Sequence, residues 1–341
     1  MLLALALAPS KGCGLPVPFA CAHSRLGHAH PRKAAHRRGI NHLGFSAVKV
    51  MHLEEAQPRP GRKVAVGTFD GVHLGHREVI AGSDSVLTFD PHPVAVVAPQ
   101  HTPKLLTTRE RKAELIATLG VSEMIVIAFD AAFAQRTAQE FIDGVLLESL
   151  GAEQVSIGEN FRFGHRAQGD ARLLQADQRL RAVVHPLLEI DGEIVSSSHI
   201  RGLVLAGDVV EANRLLGAPF QLCGPVQQGD RRGRELGFPT ANLVPEEALA
   251  CPGHGVYACL ANGLPAAVSV GVRPTFNTGR GELIEAFILD FDGDLYGSQL
   301  CVQFIRRLRG ERRFASAEAL VAQMQRDVEL TRESLAATAL P

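Results

Sequence analysis

Lys63-Val64-Ala65-Val66-Gly67-Thr68-Phe69-Asp70-Gly71-Val72-His73-Leu74-Gly75-His76 decides the architecture of the first half of the chain. Lys63 to Thr68 reads as a β-branched, apolar strand, the glycines let the backbone turn tightly, and a helical period follows. His73 and His76 stand three residues apart at the start of that helix. Two imidazoles there project toward the place where a helix start also presents unpaired N–H groups, which suits a phosphate. A metal reading of the pair needs a third ligand, and none lies nearby at a convincing spacing. Read by itself, the stretch is also compatible with a glycine-rich turn carrying incidental histidines.

Outward from this stretch, Ser85 to Phe89, Glu123 to Phe129 and Glu153 to Gly158 have strand character. Thr108 to Leu119 and Thr137 to Leu150 have helical spacing, closed by Gly120 and Gly151. Strand and helix in alternation imply an α/β unit with a parallel sheet and ligands at the carboxyl ends of its strands. Residues 69 to 84, a count of 16, separate the first two strands. A parallel crossover needs at least about 10 to 12 residues, so its helix must be very short.

Near Phe220 the pattern changes to strands punctuated by Gly and Pro. Gly255 to Ala261 and Ala266 to Val272 flank Asn262-Gly263, a hairpin signal, and the region reads as a small antiparallel β-barrel. A helix capped by Ser316 closes the chain, with Leu320, Met324, Val328 and Leu335 as its apolar stripe. The expected division is a leader at 1–52, an α/β domain at 53–219 and a barrel domain at 220–341.

The 341 residues are 46% hydrophobic, enough for more than one core. Lys+Arg 35 against Asp+Glu 36 gives a formal net charge of -1, so no overall field draws the protein onto nucleic acid or anionic lipid. Cys13, Cys21, Cys223, Cys251, Cys259 and Cys301 form no C-x-x-C pair and read as ordinary buried thiols of a reducing, cytoplasmic compartment. No acid precedes Glu54, while Lys, Arg and His are frequent. That leader is either an organelle transit peptide or an extension upstream of a start near Met51, the second reading being preferred; both exclude it from the fold.

Four ordered segments resemble the nucleotidyltransferase module of bacterial bifunctional riboflavin kinase/FAD synthetases. Gly67 to His76 is similar to G-x-F-D-G-V-H-x-G-H and Thr88-Phe89-Asp90-Pro91-His92-Pro93 to T-F-D-P-H-P. Gly158 to Gly164 is similar to G-x-N-F-x-F-G, and Ser196-Ser197-Ser198-His199-Ile200-Arg201 to S-S-T-x-I-R with Ser198 for Thr. The resemblance implies a Rossmann-like fold in which His73 and His76 hold the ATP triphosphate and steady its α-phosphate as the FMN phosphate attacks. It assigns phosphates to Ser197, Ser198 and Arg201, the ATP site to Gly67, Phe69 and Gly75, and a flavin contact to Asn160. Positioning and charge stabilisation are what such a transfer needs.

In the second half, Gly233, Arg234 and Gly237 lie in a Gly/Arg-rich loop suited to closing over phosphates, followed by Thr240 and Asn242, whose oxygens suit Mg²⁺. Gly233 to Asn242 is similar to the riboflavin kinase signature, and Gly255 to Ala258, Ser269 to Phe276 and Asp290 to Gly297 match later family stretches. The resemblance makes Glu285 the general base on the riboflavin 5′-hydroxyl, with Glu282 a less well spaced rival. It implies ATP as co-substrate, Mg²⁺, and riboflavin, FMN and FAD as substrates and products, all small molecules, with neither nucleic acid nor membrane as partner. It implies nothing about the oligomeric state. Two alternatives stand beside it: a riboflavin kinase with a defective second module, and a non-catalytic flavin-binding regulator.

Overall fold

The computed structural model describes residues 48–227, 237–272 and 281–338. Six strands build an all-parallel sheet in the order β1-β4-β3-β2-β5-β6. They are β1 (Lys49–His52), β2 (Arg62–Val66), β3 (Ser85–Asp90), β4 (Glu123–Ala128), β5 (Ala152–Gly158) and β6 (Arg181–His185). From β2 the chain steps to β3 and β4 on one side and to β5 and β6 on the other. The reversal opens a crevice at the carboxyl ends of β2 and β5, the place where open α/β sheets take ligands.

The crossover from β2 to β3 is as short as its residue count requires: α1 (Leu74–Ile80) has seven residues. It is held by its own ends and by burial of Val79 and Ile80 against Ala65 and Val86. α2 (Pro93–Val97) and α3 (Arg109–Ala117) follow, α3 capped by the Thr108 hydroxyl. The next helix begins with a capping box between Thr137 and Glu140 as α4 (Ala138–Glu140) and continues as a π-helix over Phe141–Ser149. α5 (Ala171–Ala176) and the two-residue strands β7 (Glu189–Ile190) and β8 (Glu193–Ile194) lead to α6 (Ser197–Ala206) and α7 (Val209–Leu216).

The second half closes as an antiparallel barrel in the order β10-β13-β12-β11-β14-β9. Its strands are β9 (Phe220–Gln227), β10 (Ala241–Leu243), β11 (Gly255–Ala261), β12 (Leu264–Val272), β13 (Glu282–Ile288) and β14 (Gln299–Arg309). Asn262 and Gly263 make the hairpin turn, both with positive φ (47° and 84°), as a two-residue turn of that kind requires. α6 and α7 share one hydrophobic cluster with the barrel: Ile200, Val204 and Leu215 pack with Phe220, Tyr257 and Phe304. Polar ties reinforce it. Asn213 donates to the Phe304 carbonyl at 2.7 Å and accepts from the Phe220 N–H at 2.7 Å.

Three expectations are corrected. Lys49–His52 is not leader but an edge strand paired with β4, because Met51 has apolar partners in the sheet module; residues 1–47 of the expected leader lie outside the described residues. The thiols are not all free: Cys223 and Cys301 face each other across β9 and β14 and form a disulfide, while Cys251 and Cys259 are buried thiols and Cys13 and Cys21 lie outside the described residues. The closing helix, α8 (Ala317–Thr338), buries Leu320 and Met324, but its stripe then turns polar through Asp327 and Thr331 instead of Val328 and Leu335. The cause is Arg309 at the end of β14, whose guanidinium needs a counter-charge and finds Asp327 at 2.6 Å.

Candidate functional site

The loop that leaves β2 is tightly wound. Phe69 and Val72 have φ of 48° and 43°, conformations costly for an aromatic and a β-branched residue and therefore held by their surroundings. Gly67 fits closely beneath this turn, since a Cβ there would lie 3.0 Å from the Phe69 ring and push it aside by a few tenths of an ångström. The ring of Phe69 meets His76 edge-on at 5.3 Å, and His73 and His76 stack at 3.5 Å with 16° between planes. The imidazoles therefore converge, as their spacing predicts. The helix start is less open than expected, because His73 is itself the cap: its Nδ1 accepts from the His76 N–H at 3.2 Å. Burial pushes the His73 pKa down to about 4. Burial first, then the charges of His73 and Lys112, hold His76 well below the ordinary imidazole range. Both rings are thus neutral near pH 7, donors through N–H rather than cations. The His76 Nδ1 is enclosed without a hydrogen-bond partner.

Asp70 organises the rest of this end of the sheet. Its buried carboxylate accepts from the Leu106 N–H at 2.8 Å and the Thr107 N–H at 3.2 Å, and pairs with Arg201 at 2.9 Å. Ser197 donates to the Asp70 carbonyl at 2.9 Å, and the Arg201 Nε donates to the Lys104 carbonyl. Arg201 and Ser197 are thus brought to the loop, already engaged by it, while Ser198 is exposed beside them. Asn160 is exposed in the turn after β5, across the crevice, and Gly75 lies against His73.

A cavity of about 40 Å³ opens between β2, β3 and α3, lined among others by Thr68, Asp70, Thr88, His92, Thr107, Arg109 and Lys112. None of the residues singled out from the sequence for phosphate or flavin lines it. Lys112 lies in no motif and was missed, and Asp70, though part of the Gly67 to His76 stretch, was given no role, because neither spacing nor residue type distinguishes a lysine or an aspartate that later becomes buried. Burial also lowers the pKa of His92, whose Nδ1 caps α2 by accepting from the Val94 N–H at 3.3 Å.

On the barrel, strand register assembles a second group. Asn242 of β10 pairs with Glu285 of β13, which pairs with Ser269 of β12, so three polar side chains stand in a row on the outer face. That face is opposite to Ile284 and Ala286, which fill the interior. Phe238 packs edge-on against Phe287 at 5.1 Å, and both line a cavity of about 400 Å³ with Asp290, Val328 and Arg332 under α8. Thr240 is half-buried just before β10, and Gly237 is exposed with φ 83°. Gly233 and Arg234 lie outside the described residues. Glu282 is placed apart, bonded to His254 at 3.0 Å. Among the described residues no cluster of three His, Cys, Asp or Glu could hold a metal, and no helix is long and apolar enough to cross a membrane.

The chain is similar to known proteins in two consecutive stretches. A family profile described as FAD synthetase matches residues 55–199, and one described as riboflavin kinase matches residues 216–335. The bifunctional riboflavin kinase/FMN adenylyltransferase of Listeria monocytogenes is 37% identical over 79% of this chain and 91% of its own length. That of Escherichia coli K12 is 34% identical over 84% and 96%. A crystal structure described as a macrolide-efflux protein from Streptococcus pneumoniae superposes with a TM-score of 0.77 at 30% identity, covering 84% of this chain and 99% of that one. With two profiles in order and relatives matched over nearly their whole length, the chain belongs to the bifunctional riboflavin kinase/FMN adenylyltransferase family.

Proposed function

We propose that the family's two activities divide between the modules at about residue 219: the barrel phosphorylates riboflavin to FMN, and the sheet module adenylylates FMN to FAD. The observation that carries this reading is the row Asn242, Glu285, Ser269 on one barrel face beside an aromatic cavity, separate from the phosphate-suited loop on the sheet. Glu285 takes the proton of the riboflavin 5′-hydroxyl as its oxygen forms a bond to the γ-phosphorus of ATP and ADP leaves. Phe238 and Phe287 supply the apolar walls a flavin ring needs. Thr240 and Asn242 offer oxygens to Mg²⁺, with Gly233, Arg234 and Gly237 around the phosphates. A hydroxyl and an amide without a carboxylate cage match a cation held mainly by substrate phosphates and water, where it would neutralise phosphate charge.

In the sheet module, His73 and His76 donate N–H groups to the triphosphate, and Ser197, Ser198 and Arg201 form the opposite wall with Asn160 toward the flavin. The substrates are small molecules of the cytoplasm. One chromatogram of the protein incubated with riboflavin, Mg²⁺ and ATP tests the reading: FMN and FAD together are expected. FMN without FAD or pyrophosphate would leave a kinase alone, and neither product would leave a flavin-binding protein.

A further inference from the structure

Lys112, in α3, belongs to none of the motifs yet lines the cavity beside β2 and β3. Its Nζ donates to the Thr68 carbonyl at 2.7 Å and reaches the Thr88 hydroxyl at 3.4 Å, so it ties together the ends of the two strands. Among the described residues it has no carboxylate within ion-pair distance. Asp70, the nearest in sequence to the phosphate-suited loop, is taken by Arg201 at 2.9 Å, and Asp90 faces Arg109 at 3.5 Å. A buried ammonium with three donors, one well used and one loosely, is costly unless an anion completes it. Burial lowers its pKa, and the fields of Asp70 and Asp90 oppose that shift. The histidines cannot take the cationic role: His73 caps α1 through an unprotonated Nδ1, and the two rings are stacked at 3.5 Å, where two positive charges would repel. Lys112 is near enough that its charge bears on both His76 and His92.

Resting on the assignment of adenylyl transfer to the sheet module, we infer that Lys112 is a triphosphate-binding residue, the fixed cation of a site whose histidines act as neutral donors. In the transfer, an FMN phosphate oxygen bonds to the α-phosphorus, the bond from that phosphorus to the bridging oxygen breaks, and the electron pair leaves with pyrophosphate. Charge grows on the leaving group, and an ammonium meets it without any proton moving.

Inhibition of FAD formation by pyrophosphate and by adenosine, measured on wild type and on Lys112→Met, Lys112→Gln and Lys112→Arg, decides the matter. Lys112→Gln loses the charge but keeps an N–H donor, one bond closer to the backbone, for the Thr68 carbonyl. Both neutral variants are expected to weaken pyrophosphate about 10- to 100-fold and to raise KM for ATP, with adenosine inhibition unchanged and Lys112→Arg recovering most of the loss. Riboflavin phosphorylation, carried out on the barrel, reports whether each variant is folded. Pyrophosphate inhibition within about twofold of wild type in Lys112→Gln, adenosine and pyrophosphate weakening together, or failure of both neutral variants to fold would make Lys112 a structural tie and overturn the inference. Should wild type make no FAD, the assignment of the module fails by itself. Direct titration of pyrophosphate into wild type and Lys112→Gln then still decides the role of Lys112.

Discussion

On the barrel, Asn242, Glu285 and Ser269 stand side by side because antiparallel register puts them there. In the sheet module, Asp70, Thr107, Ser197 and Arg201 meet because segments as far apart as 131 residues fold over one aspartate, Thr107 and Arg201 on its carboxylate and Ser197 on its main-chain carbonyl. The first arrangement follows from the pairing of the strands themselves, with Ser269 buried and Asn242 and Glu285 half-buried on that face. The second is prebuilt, buried and already neutralised, so its chemistry depends on groups whose charge state the fold has altered. Electrostatic sensitivity should therefore concentrate in the sheet module and proton-transfer sensitivity on the barrel.

The largest effect expected is on the barrel. Glu285→Ala should lower FMN formation by roughly 100- to 10,000-fold, the usual contribution of a general base, while FAD formation from supplied FMN persists. Kinase activity near wild type in steady-state assays would remove Glu285 from the mechanism and break the comparison at its simpler end.

Next come His76→Ala and Arg201→Ala, each expected to cut FAD formation by about 100- to 1,000-fold with riboflavin phosphorylation little changed. They should differ in stability. Removing Arg201 strands the buried Asp70 carboxylate and should lower the melting temperature, whereas His76→Ala should not do so to the same extent. Equal melting curves for the two variants would mean that Asp70 is satisfied by Leu106 and Thr107 alone.

The pH response sharpens the comparison further. His73 titrates at about 4 in the fold against 6.5 for an unperturbed imidazole. Between those values the unfolded chain binds the proton and the folded one does not, so stability is full above about pH 6.5 and falls as pH drops toward 4. The loss is on the order of 3 kcal/mol at most, and protonation also removes the acceptor that caps α1. Urea denaturation at pH 7.5 and pH 5 should show it, and His73→Asn, a cap that does not titrate, should make the response shallower, leaving the share of His76 and His92, which burial also holds below the ordinary imidazole range. An unchanged slope in that variant would place the pH sensitivity elsewhere.

The smallest effect expected is at the seam between the modules. Gly207 ends α6 with φ 83°, and a Cβ there would lie 2.6 Å from the Tyr257 hydroxyl, which donates to the Gly253 carbonyl. Gly207→Ala should cost about 1–3 kcal/mol in thermal or chemical denaturation. Because α6, α7 and the barrel share one core, both activities should be lost in a single transition. Loss of FMN formation at a temperature where FAD formation survives would show that the modules unfold separately.

Much of this was legible in consecutive residues. The β-branched apolar runs marked β2 to β5, helical spacing closed by Gly120 marked α3, Asn262-Gly263 announced its hairpin, and counting 16 residues required the short α1. These are properties of neighbours in the chain, and backbone geometry turns them directly into structure. Other features had no local signal. The neutrality of His73 and His76, the pairing of Asp70 with Arg201, the isolation of Lys112, the polar turn of the α8 stripe toward Arg309 and the Cys223–Cys301 bond each depend on which distant segments come together. Desolvation and charge pairing act through space, over distances set only once the sheet and the barrel have formed, so tertiary structure alone decided them.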